Sequence, residues 1–208
     1  MLSQRKNIPN MTELLQPYPD ATAAEEIIAS TKTWLERAVI GLNLCPFAKS
    51  VFVKKQVRYA LTAASSPDEL LAELEHELTL LADTDPAQLD TTLLIHPLAM
   101  TDFLDFHFFL GEVDALIRNL GFEGVFQIAS LHPQYEFAGS EPDDIANFTN
   151  RSPYPTLHLL RESSIDRAVA AFPEAEAIFE RNIETMKKLG LAGWLALGMT
   201  RPKKHGEE

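Results

Sequence analysis

Cysteine and long apolar segments are scarce in this sequence. One cysteine among 208 residues rules out an internal disulfide framework. No stretch approaches the roughly 20 apolar residues that a helix needs to cross a bilayer. The first residues also lack a basic region followed by an apolar run of signal-peptide length. We therefore expect a cytoplasmic protein that does not contact a membrane.

Positive charge is scarce as well. The chain has 18 Lys and Arg residues against 30 Asp and Glu residues, which gives a net charge of −12. Long-range repulsion between such a chain and a polyanion disfavours nucleic acid and anionic membranes as partners. The hydrophobic fraction of 46% is enough to bury the core of one domain of this length.

The common cofactor and catalytic motifs are missing. The sequence has no GxGxxG, GxxxxGK[ST] or GxSxG pattern, so dinucleotide-binding, P-loop and serine-hydrolase functions lose their usual support. It also has no HExxH and no paired CxxC. The spacing of the His and Cys residues therefore predicts no metal site. The sequence does not indicate a cofactor.

Hydrophobic periodicity predicts helices that alternate with strands. A first helix begins at Thr22 and ends near Asn43, ahead of Pro46. Ser66 begins a second helix and Thr101 caps a third, while two further helices follow the last strand. The predicted strands cover residues 51–59, 91–95, 125–131 and 156–161.

This order of elements predicts an α/β or α+β fold, with a small mixed sheet of about four strands covered by helices. Because one helix joins the strands at 91–95 and 125–131, we expect these strands to be parallel neighbours, with 156–161 returning antiparallel. We assign residues 1–21 to a flexible N-terminal lead-in, 22–193 to a single domain and 194–208 to a C-terminal tail.

Residues 131–154 form the most informative segment of the chain. The segment is too polar and too rich in proline to be a helix or strand throughout, and compact domains rarely keep so long an irregular segment without a function. Its aromatic residues can anchor it against the domain. We therefore interpret it as part of a binding site.

Two predicted strands end in the same dipeptide, His96-Pro97 and His132-Pro133. Parallel strands place their carboxyl ends at one edge of a sheet, which is where ligands bind in open α/β folds. Imidazole acts as an acid or a base near neutral pH. We therefore predict His132 and His96 as catalytic residues, although a histidine in this position can also simply bond a loop carbonyl.

Several polar residues could bind an anionic substrate near this edge. The guanidinium of Arg151 offers paired N–H donors to a carboxylate or phosphate. An acid-free window between Glu36 and Asp68 carries five Lys and Arg residues, although lysine there could equally protect an edge strand from pairing. The predicted substrate-binding residues are Arg151, Asn150, Ser152, Arg161, His158 and Arg58.

Cys45 is a possible nucleophile. It follows the first predicted helix, and a helix C-terminus disfavours a thiolate, so the residue could equally be a small buried hydrophobe. A metal set built from His96 and His132 together with His158, or together with Asp143 or Asp144, is a further alternative.

These residues lead to one functional hypothesis with two alternatives. The hypothesis is a hydrolase or group transferase acting on a small anionic metabolite, with His as acid or base and Arg and Asn as anion ligands. The alternatives are a noncatalytic module that binds a metabolite or a protein, and a His-based metal protein. A crevice of this composition suits many reactions, so substrate and oligomeric state stay open.

Five motifs together resemble one known family. They are NLCPF at residues 43–47, FQIASLHP at 126–133, FAG at 137–139, NRSPYP at 150–155 and LHLLRE at 157–162. They are similar to those of an uncharacterised bacterial family, domain of unknown function 1415, over roughly residues 31–193. The resemblance implies a bacterial cytosolic protein and brings no reaction with it.

Overall fold

The protein contains a four-stranded mixed sheet between two layers of helices. The computed structural model describes residues 21–171 and 177–199. The expected lead-in, apart from Ala21, and residues 200–208 of the expected tail lie outside these ranges. The strands are β1 (Val57–Leu61), β2 (Thr91–Ile95), β3 (Phe126–Leu131) and β4 (Thr156–Arg161). This architecture confirms the predicted fold class.

Six α-helices are described around the sheet. The first runs directly into a π-helix at Leu35–Ile40, and a 3₁₀ helix covers Ile145–Thr149. None of the helices in the described ranges is both long and apolar enough to cross a membrane. The α-helices are α1 (Ala21–Trp34), α2 (Ala48–Val53), α3 (Pro67–Asp83), α4 (Phe103–Asn119), α5 (Glu162–Ala171) and α6 (Ile178–Ala196).

Local capping signals determine where α3 and α4 begin. The Ser66 hydroxyl accepts the amide of Glu69 at 3.3 Å, and the Glu69 carboxylate accepts the amide of Ser65 at 2.8 Å, which resembles a capping box shifted by one residue on the acid side. In α4 the cap is Asp102 rather than the predicted Thr101. The Asp102 carboxylate accepts two amides at the start of the helix, at 2.9 and 3.2 Å.

The first predicted strand was placed too early. Residues 51–53 belong to the short helix α2, and Lys55 follows in the left-handed region with φ 58°. The side-chain amide of Gln56 then donates to the carbonyls of Pro86 and Ala87, at 3.0 and 2.8 Å. These two bonds hold the start of β1 beside β2, an interaction that alternation within one segment cannot reveal.

The strand order also differs from the prediction. The order in the sheet is β1-β2-β4-β3, so β2 and β3 run parallel but are separated by the antiparallel β4. Leu157 and Leu159 of β4 are fully buried. A strand with this much buried apolar surface is most stable in the middle of the sheet, where helices cover it.

The two faces of the sheet carry separate cores. Leu94 and Leu159 pack with α3 and α4 on one face, while Leu93 and Leu131 pack with Trp34 and α6 on the other. Trp194 is buried in the second core and its ring lies 5.3 Å from that of Phe148. Helix α6 therefore continues to pack past residue 193, where the sequence analysis ended the domain.

Substitution of Gly41 tests the tight turn that follows the π-helix. A Cβ atom at Gly41 would lie 2.3 Å from the carbonyl oxygen of Arg37, closer than packed atoms approach. We expect Gly41→Ala to lower the free energy of unfolding by about 1–3 kcal/mol. The matched control is Gly111→Ala in α4, where a Cβ has open space, and it should raise stability by roughly 0.5–1 kcal/mol. Equal effects in urea denaturation would contradict the steric explanation.

Candidate functional site

The two His-Pro histidines meet at the carboxyl edge of the sheet, but inside the core. Phe106 of α4 separates them, with ring centroids 5.4 Å from His96 and 5.4 Å from His132. Neither imidazole has any exposed surface. The structure therefore corrects the predicted crevice, because aromatic packing seals both rings at the position where a ligand was expected.

Both ring nitrogens of His132 form hydrogen bonds to main-chain groups. Its Nδ1 accepts the amide of Gln134 at 3.1 Å, so the proton of the neutral ring is on Nε2, which donates to the Met100 carbonyl at 3.2 Å. Burial also lowers its pKa. In this arrangement His132 joins the loop before α4 to the loop after β3.

His96 differs in having one nitrogen without a partner. Its Nδ1 donates to the Ala99 carbonyl at 3.0 Å, while Nε2 is buried and makes no hydrogen bond within the described chain. Burial, with a smaller contribution from the nearby His132, lowers the pKa of His96 to about 4. His96 is therefore neutral at physiological pH.

His158 lies in the middle of β4 rather than at the sheet edge, between Leu93 of β2 and Ala129 of β3. The Thr91 hydroxyl donates its single proton to the Leu159 carbonyl at 2.6 Å, so it accepts from Nε2 of His158 at 2.8 Å. Burial lowers the pKa of His158 to about 4. Its position separates it from the other two imidazoles.

Arg151 ties residues 131–154 together. Its Nε donates to the Tyr135 carbonyl at 3.1 Å and one terminal nitrogen donates to the Pro142 carbonyl at 2.6 Å. Its guanidinium also lies 4.3 Å from the ring centre of Phe148. These contacts place Arg151 within the loop scaffold rather than beside the imidazoles.

Asn150 and Ser152 also bond to backbone or to neighbours. The Asn150 carbonyl accepts the amide of His132 at 3.2 Å, and its side-chain oxygen accepts the Thr149 hydroxyl at 3.2 Å. The buried Ser152 hydroxyl donates to the Tyr154 carbonyl at 2.6 Å. The predicted anion-binding triad thus consists of residues that shape the loop.

The other two predicted arginines lie elsewhere. Arg58 makes a two-pronged ion pair with the buried carboxylate of Glu77, with N···O distances of 2.7 and 2.9 Å. Arg161 caps the end of α3 by donating to the carbonyls of Leu81, Thr84 and Leu89. Both cations satisfy acceptors from α3 or the residues that follow it.

Asn147, to which the sequence analysis gave no role, is the centre of the loop. It is fully buried, and its side-chain oxygen accepts the amide of Phe137 at 3.0 Å and the Ser140 hydroxyl at 2.8 Å. Its side-chain nitrogen donates to the Glu141 carbonyl at 2.8 Å. In the sequence, the only indication of this role is a polar residue within an irregular segment. The hydrogen-bond partners of that residue are determined by how the loop folds.

Cys45 is half-buried, and burial raises the pKa of its thiol. Backbone bonds from Phe47 and Ala48 act in the opposite direction but do not reverse the effect. A raised pKa makes the thiol a poor nucleophile. Among the described residues, no three His, Cys, Asp or Glu side chains come together as a metal-binding group.

A cavity of about 60 Å³ lies where the loop after the π-helix meets α6. The side-chain nitrogen of Asn182 crosses this junction and donates to the Leu44 carbonyl at 2.8 Å. Asn43 lies in the left-handed region with φ 56°. The lining residues are Leu42, Asn43, Pro46, Ile178, Arg181, Asn182 and Thr185. Sequence reasoning missed this site, because its two halves are more than a hundred residues apart.

The buried His96 and the half-buried His158 predict loss of stability in acid. The pKa values of His96 and His158 are about 4 in the folded protein against 6.5 for a free imidazole, so the unfolded chain binds more protons between these values. Stability is full above pH 6.5 and falls as the pH drops. Each histidine should cost about 2 kcal/mol between pH 7 and pH 5.

Urea denaturation across this pH range measures the effect. His158→Gln should reduce the loss, whereas His107→Gln, at an exposed position in α4, should leave it unchanged. An identical pH dependence in the wild type and both variants would contradict the assignment.

The comparisons with known proteins identify a family and no activity. Searches of curated proteins and of solved structures gave no match. A family model described as a protein of unknown function (DUF1415) matches residues 26–196. This range includes the whole sheet, the loop of residues 131–154 and both sides of the 60 Å³ cavity. The chain therefore belongs to the DUF1415 family.

Proposed function

We propose that the protein binds a small oxyanion, or the anionic head group of a small metabolite, in the 60 Å³ cavity between the loop of residues 42–46 and α6. The observation that carries the proposal is the set of hydrogen-bond donors that line it. Arg181 and Thr185 are four residues apart and share one face of α6, Asn182 is adjacent, and Asn43 lies across from them.

These side chains suit an acceptor-only ligand. A guanidinium has five N–H donors, so Arg181 can keep a contact with the protein and still donate to an anion. The amide of Asn43 and the hydroxyl of Thr185 add neutral donors. Charge-assisted bonds from arginine to a carboxylate or phosphate are about twice as strong as neutral ones.

The volume limits what can bind. Drug-sized ligands occupy pockets of roughly 300–1,000 Å³, which is far more than the 60 Å³ found here. A water molecule needs roughly 10–15 Å³ on the same scale, so the cavity has room for about four. That is the size of one phosphate, sulfate or carboxylate group.

Local charge favours an anion despite the net charge of −12. The sequence from residue 37 to residue 67 contains no acid, and this stretch supplies one side of the cavity. Lys49, Lys54 and Lys55 within it are exposed. Glu180 and Glu184 belong to the same helix as Arg181 but do not line the cavity, and Glu184 pairs with Lys188 at 3.6 Å.

The backbone around the cavity is unusual in a way that fits a binding site. The π-helix Leu35–Ile40 ends just before it, and Asn43 holds a left-handed conformation that costs a non-glycine residue about 1–3 kcal/mol. Both features are frequent at functional sites. Here they turn the loop so that Asn43 and Pro46 meet α6.

In this proposal the protein binds the anion without catalysing a reaction on it. Among the residues that the structure describes, no His, Cys, Asp or Glu lines the cavity, so these residues supply neither a general base nor an activated nucleophile. The hypothesis of a hydrolase or transferase with His132 and His96 as catalytic residues is weakened, because both rings are buried and His132 is fully bonded to backbone. This favours the alternative of a noncatalytic binding module, with the binding site at the cavity beside α6 rather than at the carboxyl edge of the sheet.

Titration with inorganic phosphate tests the proposal. Calorimetry should give one site per chain, and phosphate at 100 times its Kd should add about 2.7 kcal/mol of stability. This corresponds to a rise in Tm of roughly 5–10 °C at constant ionic strength. Arg181→Gln and Thr185→Val should each weaken binding at least tenfold.

Lys188→Gln is the matched control, because it removes one positive charge from the same helix outside the cavity. It should bind phosphate like the wild type. An equal rise in Tm for all four proteins would indicate a general salt effect and would reject the site, as would the absence of binding to the wild type.

A further inference from the structure

The two edges of the sheet are protected differently. The exposed Lys54 and Lys55 lie just before β1. Charged residues of this kind are a common way to prevent an edge strand from pairing with another chain. β3 is the opposite edge, and its sequence FQIASL contains no charged residue, no proline and no bulge.

The hydrogen-bond pattern shows which main-chain groups of β3 point outward. The amide of Glu162 donates to the carbonyl of Val125 at 3.0 Å, so the Val125 carbonyl faces β4, although the Val125 amide donates to Phe122 instead. With the register of β3 and β4, the next bonded residues are Gln127 and Ala129, and the residues between them face away from β4. Ile128 and Ser130 therefore direct their amides and carbonyls outward.

These outward groups are unpaired. Within residues 21–171 and 177–199, no hydrogen bond is found for the outward main-chain amides and carbonyls of Ile128 and Ser130. A row of alternating donors and acceptors is satisfied best by another extended strand. A strand beside β3 could make four main-chain bonds to these two residues.

An open depression of about 330 Å³ borders the same edge. Its apolar lining residues are Ile117, Phe126 and Ile128, of which the first two are almost fully buried, and its charged lining residues are three acids and one base. Asp114 and Glu123 are exposed and Glu162 is half-buried. The four charged lining residues are Asp114, Glu123, Glu162 and Arg118.

From these observations we infer that β3 is a docking edge for an extended, positively charged segment of a partner protein. The segment adds as a fifth strand and spans roughly 20 Å along the six residues of β3. Every second side chain faces the depression, where Lys or Arg meets the three acids and an aliphatic stem covers the half-buried Ile128.

Charge decides between this occupant and a second copy of the chain. Two copies would each bring a net charge of −12, and each would add the same three acids beside the shared edge. A cationic segment instead gains from both the long-range field and the local acids. The docking edge is independent of the oxyanion cavity, which lies between different elements.

The test uses a fluorescent hexapeptide of alternating Lys and Val, measured by fluorescence anisotropy against the full-length protein. We expect saturable binding that weakens at least tenfold when alternate peptide amides are N-methylated, because methylation removes the strand's donors and keeps its charge. Asp114→Asn with Glu123→Gln should weaken binding at least fivefold and reduce its dependence on salt.

Ser130→Pro removes one outward amide that has no partner among the described residues, and edge strands tolerate proline at such positions. It should weaken peptide binding at least tenfold with a Tm close to that of the wild type. His107→Gln, on α4 outside the depression, is the control and should bind normally.

Three results would overturn the inference. The first is no binding of the peptide to the wild type, and the second is equal binding of the N-methylated peptide, which would indicate charge attraction alone. The third is a dimer, detected by analytical ultracentrifugation, that Ser130→Pro converts to a monomer, which would assign the edge to a second copy.

Discussion

The position of β4 between β2 and β3 is the constraint on which the rest of the structure depends. β4 pairs antiparallel with both neighbours along nearly its whole length, and its Leu157 and Leu159 are among the most buried side chains. The amide of His96 donates to the Pro155 carbonyl at 3.0 Å just before β4 begins. The chain that enters β4 therefore closes over the carboxyl ends of β2 and β3, where open α/β sheets bind ligands.

This closure explains why polar residues at that edge are structural. An irregular segment packed against a sheet must satisfy its own amides and carbonyls, because water reaches few of them. Asn147, Arg151 and His132 supply donors and acceptors to the backbone of this segment. At an open edge such residue types could serve catalysis, whereas here they form the hydrogen bonds to the backbone that water would otherwise form. Burial lowers the pKa of the imidazoles and keeps them neutral.

Charge is distributed unevenly over this acidic protein. An acid-free stretch of about thirty residues forms one side of a donor-lined cavity, and a group of acids borders the unprotected edge of β3. The two surfaces favour ligands of opposite sign. The net charge of the chain by itself predicts only the preference of the β3 edge for a cation. The electric field close to a surface depends on the nearest charged groups rather than on the total charge of the protein.

The sequence by itself determined what depends on neighbours along the chain. Capping at Ser66, the buried strand Thr91–Ile95, the helical run before Asn119 and the membership in the DUF1415 family all follow from patterns a few residues long. The tertiary structure alone decided the strand order and the partners of Arg58, Arg151 and Arg161. It also decided the meeting of Asn43 with α6. The physical reason is that the residue type fixes the charge of a side chain. Which acceptor the side chain bonds depends on contacts between segments that are distant in the sequence.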